Sequence, residues 1–254
     1  MDRCPHALEA DPITPLLEAS GVAIAGRLRP TDLELRAGTL TALIGPNGSG
    51  KTSLLRALAG VERASGCIRV AGRELAGVSP ALRRQLLAFL PASRELVWPI
   101  AARDVIAMGM ERPHPERIAE VIASLELQAL AERPADRLST GERARVLMGR
   151  ALAQQPAVLL LDEPLSNLDP YWSLRTLGIL RETAQAEAAV LVALHDLALL
   201  HEFDRAILMD GGGVLLDGAP QDVLEDQRFE EVFRVSQTPG GWRLSPPAGP
   251  RSSR

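Results

Sequence analysis

Lysine is all but missing from this sequence: position 51 holds the only one, and every other basic side chain is an arginine. Aromatic residues make up 3% of the chain, and none precedes Phe89. The two cysteines, Cys4 and Cys67, lack the paired spacing of a zinc cluster and read as reduced, incidental thiols. No apolar run, Ala188 to Leu194 being one of the longest, approaches the roughly 18 residues that span a bilayer. The N-terminus carries no signal-peptide core, so a cytosolic chain is expected. Net charge is -4, with acids interleaved among the arginines. A basic stripe for a nucleic-acid backbone is therefore absent, and nucleic acid is excluded as the main ligand. What remains is globular composition, 46% hydrophobic over 254 residues, enough for one large or two small domains.

Against these absences stands one dense stretch, Gly45-Pro46-Asn47-Gly48-Ser49-Gly50-Lys51-Thr52, preceded by the apolar run Leu40 to Ile44 and followed by a helical run from Ser53 to Ala59. It has the form G-x-x-x-x-G-K-[ST], a phosphate-binding loop. Its glycines let successive backbone N–H groups turn toward phosphate oxygens, and the helix opening near Gly50 points its positive end at the same anion. Lys51 is then expected to reach the β- and γ-phosphates and the Thr52 hydroxyl to hold Mg²⁺. The lone lysine sits where a compact point charge, not a planar fork, is required.

Read in order, residues 1–15 are a proline-bearing tail. Leu16 to Ile24 and Leu33 to Leu35 read as strands, Gly66 to Arg73 as an edge strand or hairpin, and Leu87 to Leu90 as another strand. Between them Ser79 caps a short helix with Pro80 as its first residue. From Ala92 to Gln154 the pattern turns helical, over Ala102 to Met108, Pro115 to Leu125 and Gly141 to Ala153. Ser139 with Glu142 three residues on is a capping box, so Ser139, Thr140 and Gly141 sit on an exposed helix N-terminus suited to an anion. Ala157 to Leu161 reads as a central parallel strand ending in Asp162 and Glu163. Asp162 is placed to hold Mg²⁺ and Glu163 to take a proton from an attacking water. Ser166 to Asp169 precedes a helix from Pro170 to about Glu187, and Ala189 to Leu194 is a second buried strand ending in His195. A hairpin over Ala206 to Asp217, a helix at Gln221 to Leu224 and a Pro/Gly/Ser-rich tail from Pro239 complete the chain.

These pieces resemble the nucleotide-binding subunit of an ATP-binding cassette (ABC) transporter over about Leu16 to Val235. Gly45 to Thr52, with Ser53 beside it, matches the Walker A loop. Leu138 to Glu142 resembles the signature LSGGQ, with Thr140 for the first glycine and Glu142 for the glutamine. Leu159 to Glu163 matches Walker B with its glutamate, Ser166 to Asp169 the D-loop, and His195 the switch histidine. Leu96 to Val105 with Met108-Gly109 looks like a segment of the ATPases that serve importers of iron-siderophores, haem and vitamin B12. The resemblance implies an α/β fold, a RecA-like core (16–91 and 155–238) with an antiparallel β edge and an inserted helical subdomain (92–154), and a second tail at 239–254. It implies ATP and Mg²⁺ as cofactors, Glu163, His195 and Lys51 as catalytic residues, and a head-to-tail homodimer in which Ser139 and Gly141 of one copy close over ATP on the other. A membrane permease, and through it a periplasmic or lipoprotein substrate-binding protein, are the implied partners. The implied location is peripheral, on the cytoplasmic side of the bacterial inner membrane.

Two departures temper this expectation. Ala92 stands where the family has a glutamine touching Mg²⁺ and the helical subdomain, so Mg²⁺ would complete its shell with water or with Ser93. With no aromatic before Phe89, adenine would rest on aliphatic side chains such as Val22 or Ile24, which implies weak affinity and poor discrimination between ATP and GTP. Two other readings stay open. One is a soluble ABC ATPase without a permease; the other, suggested by Ala92, is a low-turnover regulatory module.

Overall fold

The computed structural model describes residues 15–166, 168–238 and 241–244. In chain order the elements begin β1 (Leu17–Ile24), β2 (Leu28–Leu35), β3 (Leu40–Ile44), α1 (Lys51–Leu58), β4 (Ser65–Val70), β5 (Arg73–Glu74), α2 (Pro80–Leu86) and β6 (Leu87–Leu90). A helical stretch follows, with α3 (Ala102–Ala107), α4 (Pro115–Ser124) and α5 (Thr140–Ala153). Then come β7 (Val158–Asp162), α6 (Pro170–Gln185), β8 (Ala189–Ala193), β9 (Arg205–Asp210) and β10 (Gly213–Gly218). The chain closes on α7 (Pro220–Glu225), α8 (Gln227–Phe233), β11 (Val235–Thr238) and β12 (Gly241–Leu244).

Six strands form the main sheet in the order β10-β9-β3-β8-β7-β6, all parallel except for the β9–β10 hairpin. Every residue of β3, β7 and β8 is buried, because both faces of the sheet are covered and period 2 sends neighbours to opposite sides. Leu159 and Leu161 join a core with α5 and α6, while Val158 and Leu160 join one with α1 and the antiparallel sheet. That second sheet, β2-β1-β4-β5, forms the antiparallel edge. Val105, Val121 and Val146 of α3, α4 and α5 share the first core with the sheet, so the helical stretch between β6 and β7 packs on the sheet face.

Four features differ from expectation. β2 starts at Leu28, five residues earlier than its apolar pattern suggests; Pro30 is tolerated because β2 lies at a sheet edge and needs no ladder bond there. Cys67 in β4 is disulfide-bonded, not a reduced thiol. Helix α8 was not foreseen. The expected tail from Pro239 contains β12, paired with β11. Trp242 explains it, its ring lying 5.9 Å from Phe229, which in turn lies 4.8 Å from Phe233. Averaged Pro, Gly and Ser content hides such an anchor. Residues 1–14 of the expected tail at 1–15, and residues 245–254, lie outside the described residues.

Candidate nucleotide site

Parallel pairing brings the motifs together. Leu43 and Asp162 both lie opposite Ala193 across β8, so the loop after β3, the acids ending β7 and the histidine beyond β8 emerge at one sheet edge. The carboxyl ends of parallel strands are where an α/β sheet opens a crevice for ligands. Here the crevice is a cleft of about 720 Å³ lined by Gly26–Arg29, Asn47–Ser53, Glu163, His195 and Gly211–Gly212.

The loop has the conformation its glycines allow. A Cβ on Gly45 would collide with the Met209 carbonyl oxygen. Gly48 and Gly50 have φ of 81° and 103°, a left-handed region that other residues enter at a cost. Gly50 is also the N-cap of α1 and supplies no side-chain cap, which leaves first-turn N–H groups free to meet an anion. The Lys51 ammonium, on a residue only 7% exposed, donates to the carbonyls of Gly45 (2.7 Å) and Pro46 (3.1 Å). Burial pushes its pKa down, opposed by the carboxylates of Glu163 and Asp162.

Asp162, the last residue of β7, is 2% exposed. Its Oδ1 accepts from the Thr52 hydroxyl at 3.3 Å, and its Oδ2 is buried without a hydrogen-bond partner. Burial pushes this carboxyl up, and the Thr52 hydrogen bond opposes that shift. An orphaned carboxylate oxygen beside a hydroxyl is an oxygen-only donor pair that fits Mg²⁺, which binds through one or two carboxylates, substrate phosphates and water. Among the described residues no cluster of three or more His, Cys, Asp or Glu could hold a metal by itself.

Glu163 follows with φ of 54°, a left-handed conformation that strains a non-glycine residue. Its Oε1 lies 2.6 Å from His195 Nε2, and its Oε2 accepts from the Ser166 hydroxyl at 3.3 Å. The carboxylate is thereby held at the mouth of the cleft.

Other expected residues lie elsewhere in the single chain. Ser139 caps α5: its Oγ accepts from the Glu142 N–H at 3.3 Å, and Glu142 Oε2 accepts from the Ser139 N–H at 2.8 Å. The Ser139 backbone N–H chiefly holds the Glu142 carboxyl below its usual range. Asp169 caps α6 through Trp172 N–H at 2.9 Å, and the Trp172 ring carries the Arg145 guanidinium 3.9 Å from its centroid. Neither Asp169 nor Ser139 to Glu142 lines the cleft. Asn167 lies outside the described residues. Ala92 and Ser93 are exposed, and Ser93 does not line the cleft.

One expectation is overturned. Val22 and Ile24, 0% and 7% exposed, point into the core and cannot carry adenine. Register shifts on either side of Val22 break the simple alternation of β1, so the cleft wall is made by Gly26 to Arg29 and the Gly211-Gly212 turn. The Arg29 N–H donates to Gly212 O at 2.6 Å and its Nη2 to Asp210 O at 3.0 Å, tying the two parts of that wall together. The glycine triplet after β9 was the available signal. A second unforeseen residue is Arg94, which reaches the Glu163 turn.

Fold and site together define a P-loop nucleotide-binding α/β protein. The family model described as "ABC transporter" matches residues 28–166. A hemin import ATP-binding protein of Streptomyces coelicolor is 40% identical over 256 residues, covering 91% of this chain and 90% of that protein. The chain belongs to the ABC transporter family and is an ATPase of that family. Among solved structures, a nucleotide-free ATP-binding cassette from an ABC transporter aligns with a TM-score of 0.76 at 21% identity, over 87% of this chain and 99% of that one. A dimeric cassette in a post-hydrolysis state, bound to ADP and Pi, aligns at 0.72 and 21% identity, over 80% and 98%. These two likenesses speak to the fold.

Proposed function

We propose that this chain is the ATP-hydrolysing subunit of an importer for a metal chelate (iron-siderophore, haem or cobalamin), with haem the cargo its sequence similarity favours. It works as a homodimer at the cytoplasmic face of a bacterial membrane, beneath an integral permease served by a substrate-binding protein. The observation that carries the catalytic part is that Lys51, Thr52, Glu163 and His195 line one cleft, with Asp162 hydrogen-bonded to Thr52 and Glu163 to His195. Among the described residues no helix is long and apolar enough to cross a membrane.

In this reading Gly45 to Ser53 wrap the phosphates, with Lys51 at the β- and γ-phosphates. Thr52 and Asp162 would hold Mg²⁺, which when bound supplies positive charge to the phosphate oxygens. Glu163 takes the proton of the attacking water. His195, which meets Glu163 at 2.6 Å, finds a competing acceptor in a γ-phosphate. The capped α5 N-terminus, carrying Ser139, Thr140, Gly141 and Glu142, lies outside its own chain's cleft, which supports its closing over ATP of a second copy, with Asp169 at the seam.

The base would rest against Gly26 to Arg29 and Gly211-Gly212, where no aromatic ring stands. We expect KM values for ATP and GTP within about tenfold of each other, since stacking worth about 0.5–1.5 kcal/mol is missing. Steady-state turnover with both nucleotides checks this; strong adenine preference would place a recognition group in the wall.

The permease reading rests on the loop before α3. Val97 and Trp98 are 69% and 68% exposed, adjacent, and three or more residues ahead of the helix. An apolar pair held in water is a docking feature. Tagged chain extracted from membranes in detergent should bring down a multi-span protein, and Trp98→Asp should abolish this while leaving basal ATPase intact. Recovery of soluble partners alone would favour the permease-free ATPase.

A further inference from the structure

The turn that carries Glu163 is gripped from outside by a residue with no assigned part in the site. Parallel pairing sets Leu90 opposite Leu161, so the chain leaving β6 runs beside the chain leaving β7. Four residues past Leu90, half-buried Arg94 reaches across. Its Nη2 donates to the Glu163 carbonyl at 2.6 Å and its Nη1 to the Ser166 carbonyl at 2.5 Å. Those carbonyls are the two ends of the turn, which the Ser166 N–H closes onto Glu163 O at 3.2 Å.

We propose that Arg94 is the positioning residue for Glu163: its guanidinium holds the turn in the conformation that presents the Glu163 carboxylate to the cleft, and links that turn to the segment leading into α3. The inference rests on the reading of Glu163 as the proton acceptor.

Three features support it. Glu163 occupies the left-handed region at φ 54°, which persists only where surroundings over-determine it. The rigid fork of arginine fixes two acceptors at a set spacing, which an ammonium cannot do. Finally, the Arg94 guanidinium donates to the main-chain oxygens of Glu163 and Ser166, whereas the Glu163 carboxylate oxygens meet His195 and Ser166. The positive charge therefore braces the turn without capturing the group that must accept a proton. Ala92, two residues earlier and exposed, has only a methyl group and makes no such link. A force on Val97 or Trp98 acts three or four residues along the chain from this grip, which offers a route between a docked partner and the site.

The test compares wild type, Arg94→Ala and Arg94→Lys in the full chain. Arg94→Ala should lower kcat at least about tenfold, because a small misplacement of a reacting group is costly. Its KM for ATP should stay within about twofold, since the phosphate loop is untouched. Without nucleotide, amides of 161–166 should exchange roughly tenfold faster while the thermal midpoint stays close to wild type. Arg94→Lys, able to reach one carbonyl, should fall between. Unchanged kcat and exchange in both variants would overturn the proposal and leave the ATPase assignment standing. A joint rise in KM and fall in midpoint, equal in the two variants, would make Arg94 a general staple and also overturn it. Loss of kcat in Glu163→Gln below about tenfold would sink the reading of Glu163 itself, and this inference with it.

Discussion

Replacing Glu163 by glutamine should slow ATP hydrolysis by about 10²- to 10⁴-fold while ATP affinity changes little. Glutamine has nearly the same shape, and its amide can still meet Ser166 Oγ and His195 Nε2, the two groups that hold the carboxylate. Only the ability to accept a proton is lost. The Lys51, Thr52 and Asp162 contacts that would anchor the phosphates are separate from it. With Mg-ATP present, the variant should therefore accumulate in an ATP-filled state. If two copies close head to tail, light scattering should register a dimer that wild type populates only transiently. Phosphate release and mass measured on the same sample give both readouts. A loss of turnover below about tenfold would remove Glu163 from the chemistry, and a monomeric mass at saturating Mg-ATP would count against closure.

How much of this was legible before the fold was known depended on whether the information is local in the chain. The phosphate loop, the buried strand ending in Asp162 and Glu163, and the Ser139–Glu142 capping box are contiguous patterns, and each lies in the structure as expected. The capping box is a case where side chains three apart settle the geometry without help from distant residues. Convergence at one sheet edge followed from reading each apolar run as a parallel strand. Pairings without a local trace were not legible. Arg94 becomes meaningful only once β6 lies beside β7. The wall from Gly26 to Arg29 depends on bulges in β1 that turn Val22 and Ile24 inward, and alternation counted along the sequence cannot register an irregularity of pairing. Trp242 anchors a hairpin through contact with Phe229, a single long-range contact inside a segment whose composition resembles a tail.

Lys51→Arg should weaken nucleotide binding by about 10²-fold or more, an effect of roughly 3 kcal/mol, although the change preserves charge and every other basic position in the chain carries arginine. The Lys51 ammonium is enclosed, 7% exposed, and reaches back to the Gly45 and Pro46 carbonyls of its own loop. A guanidinium is wider, planar and carries five donors in a fixed fork. To fit, it must either push the loop open, against a Gly45 with no space for even a Cβ, or swing out and leave two carbonyls without their donor. The fold itself should survive, because α1 is held by Leu54, Leu55 and Leu58, each fully buried beneath the sheet, and the changed side chain points toward the cleft. A titration with a fluorescent ATP analogue, run beside thermal unfolding, separates the two effects. Affinity should collapse while the midpoint moves by only a few degrees, about what a loss below 1 kcal/mol produces in a chain of this size. Binding within about threefold of wild type would show that the site tolerates a fork as well as a point charge, and that the single lysine is an accident of composition.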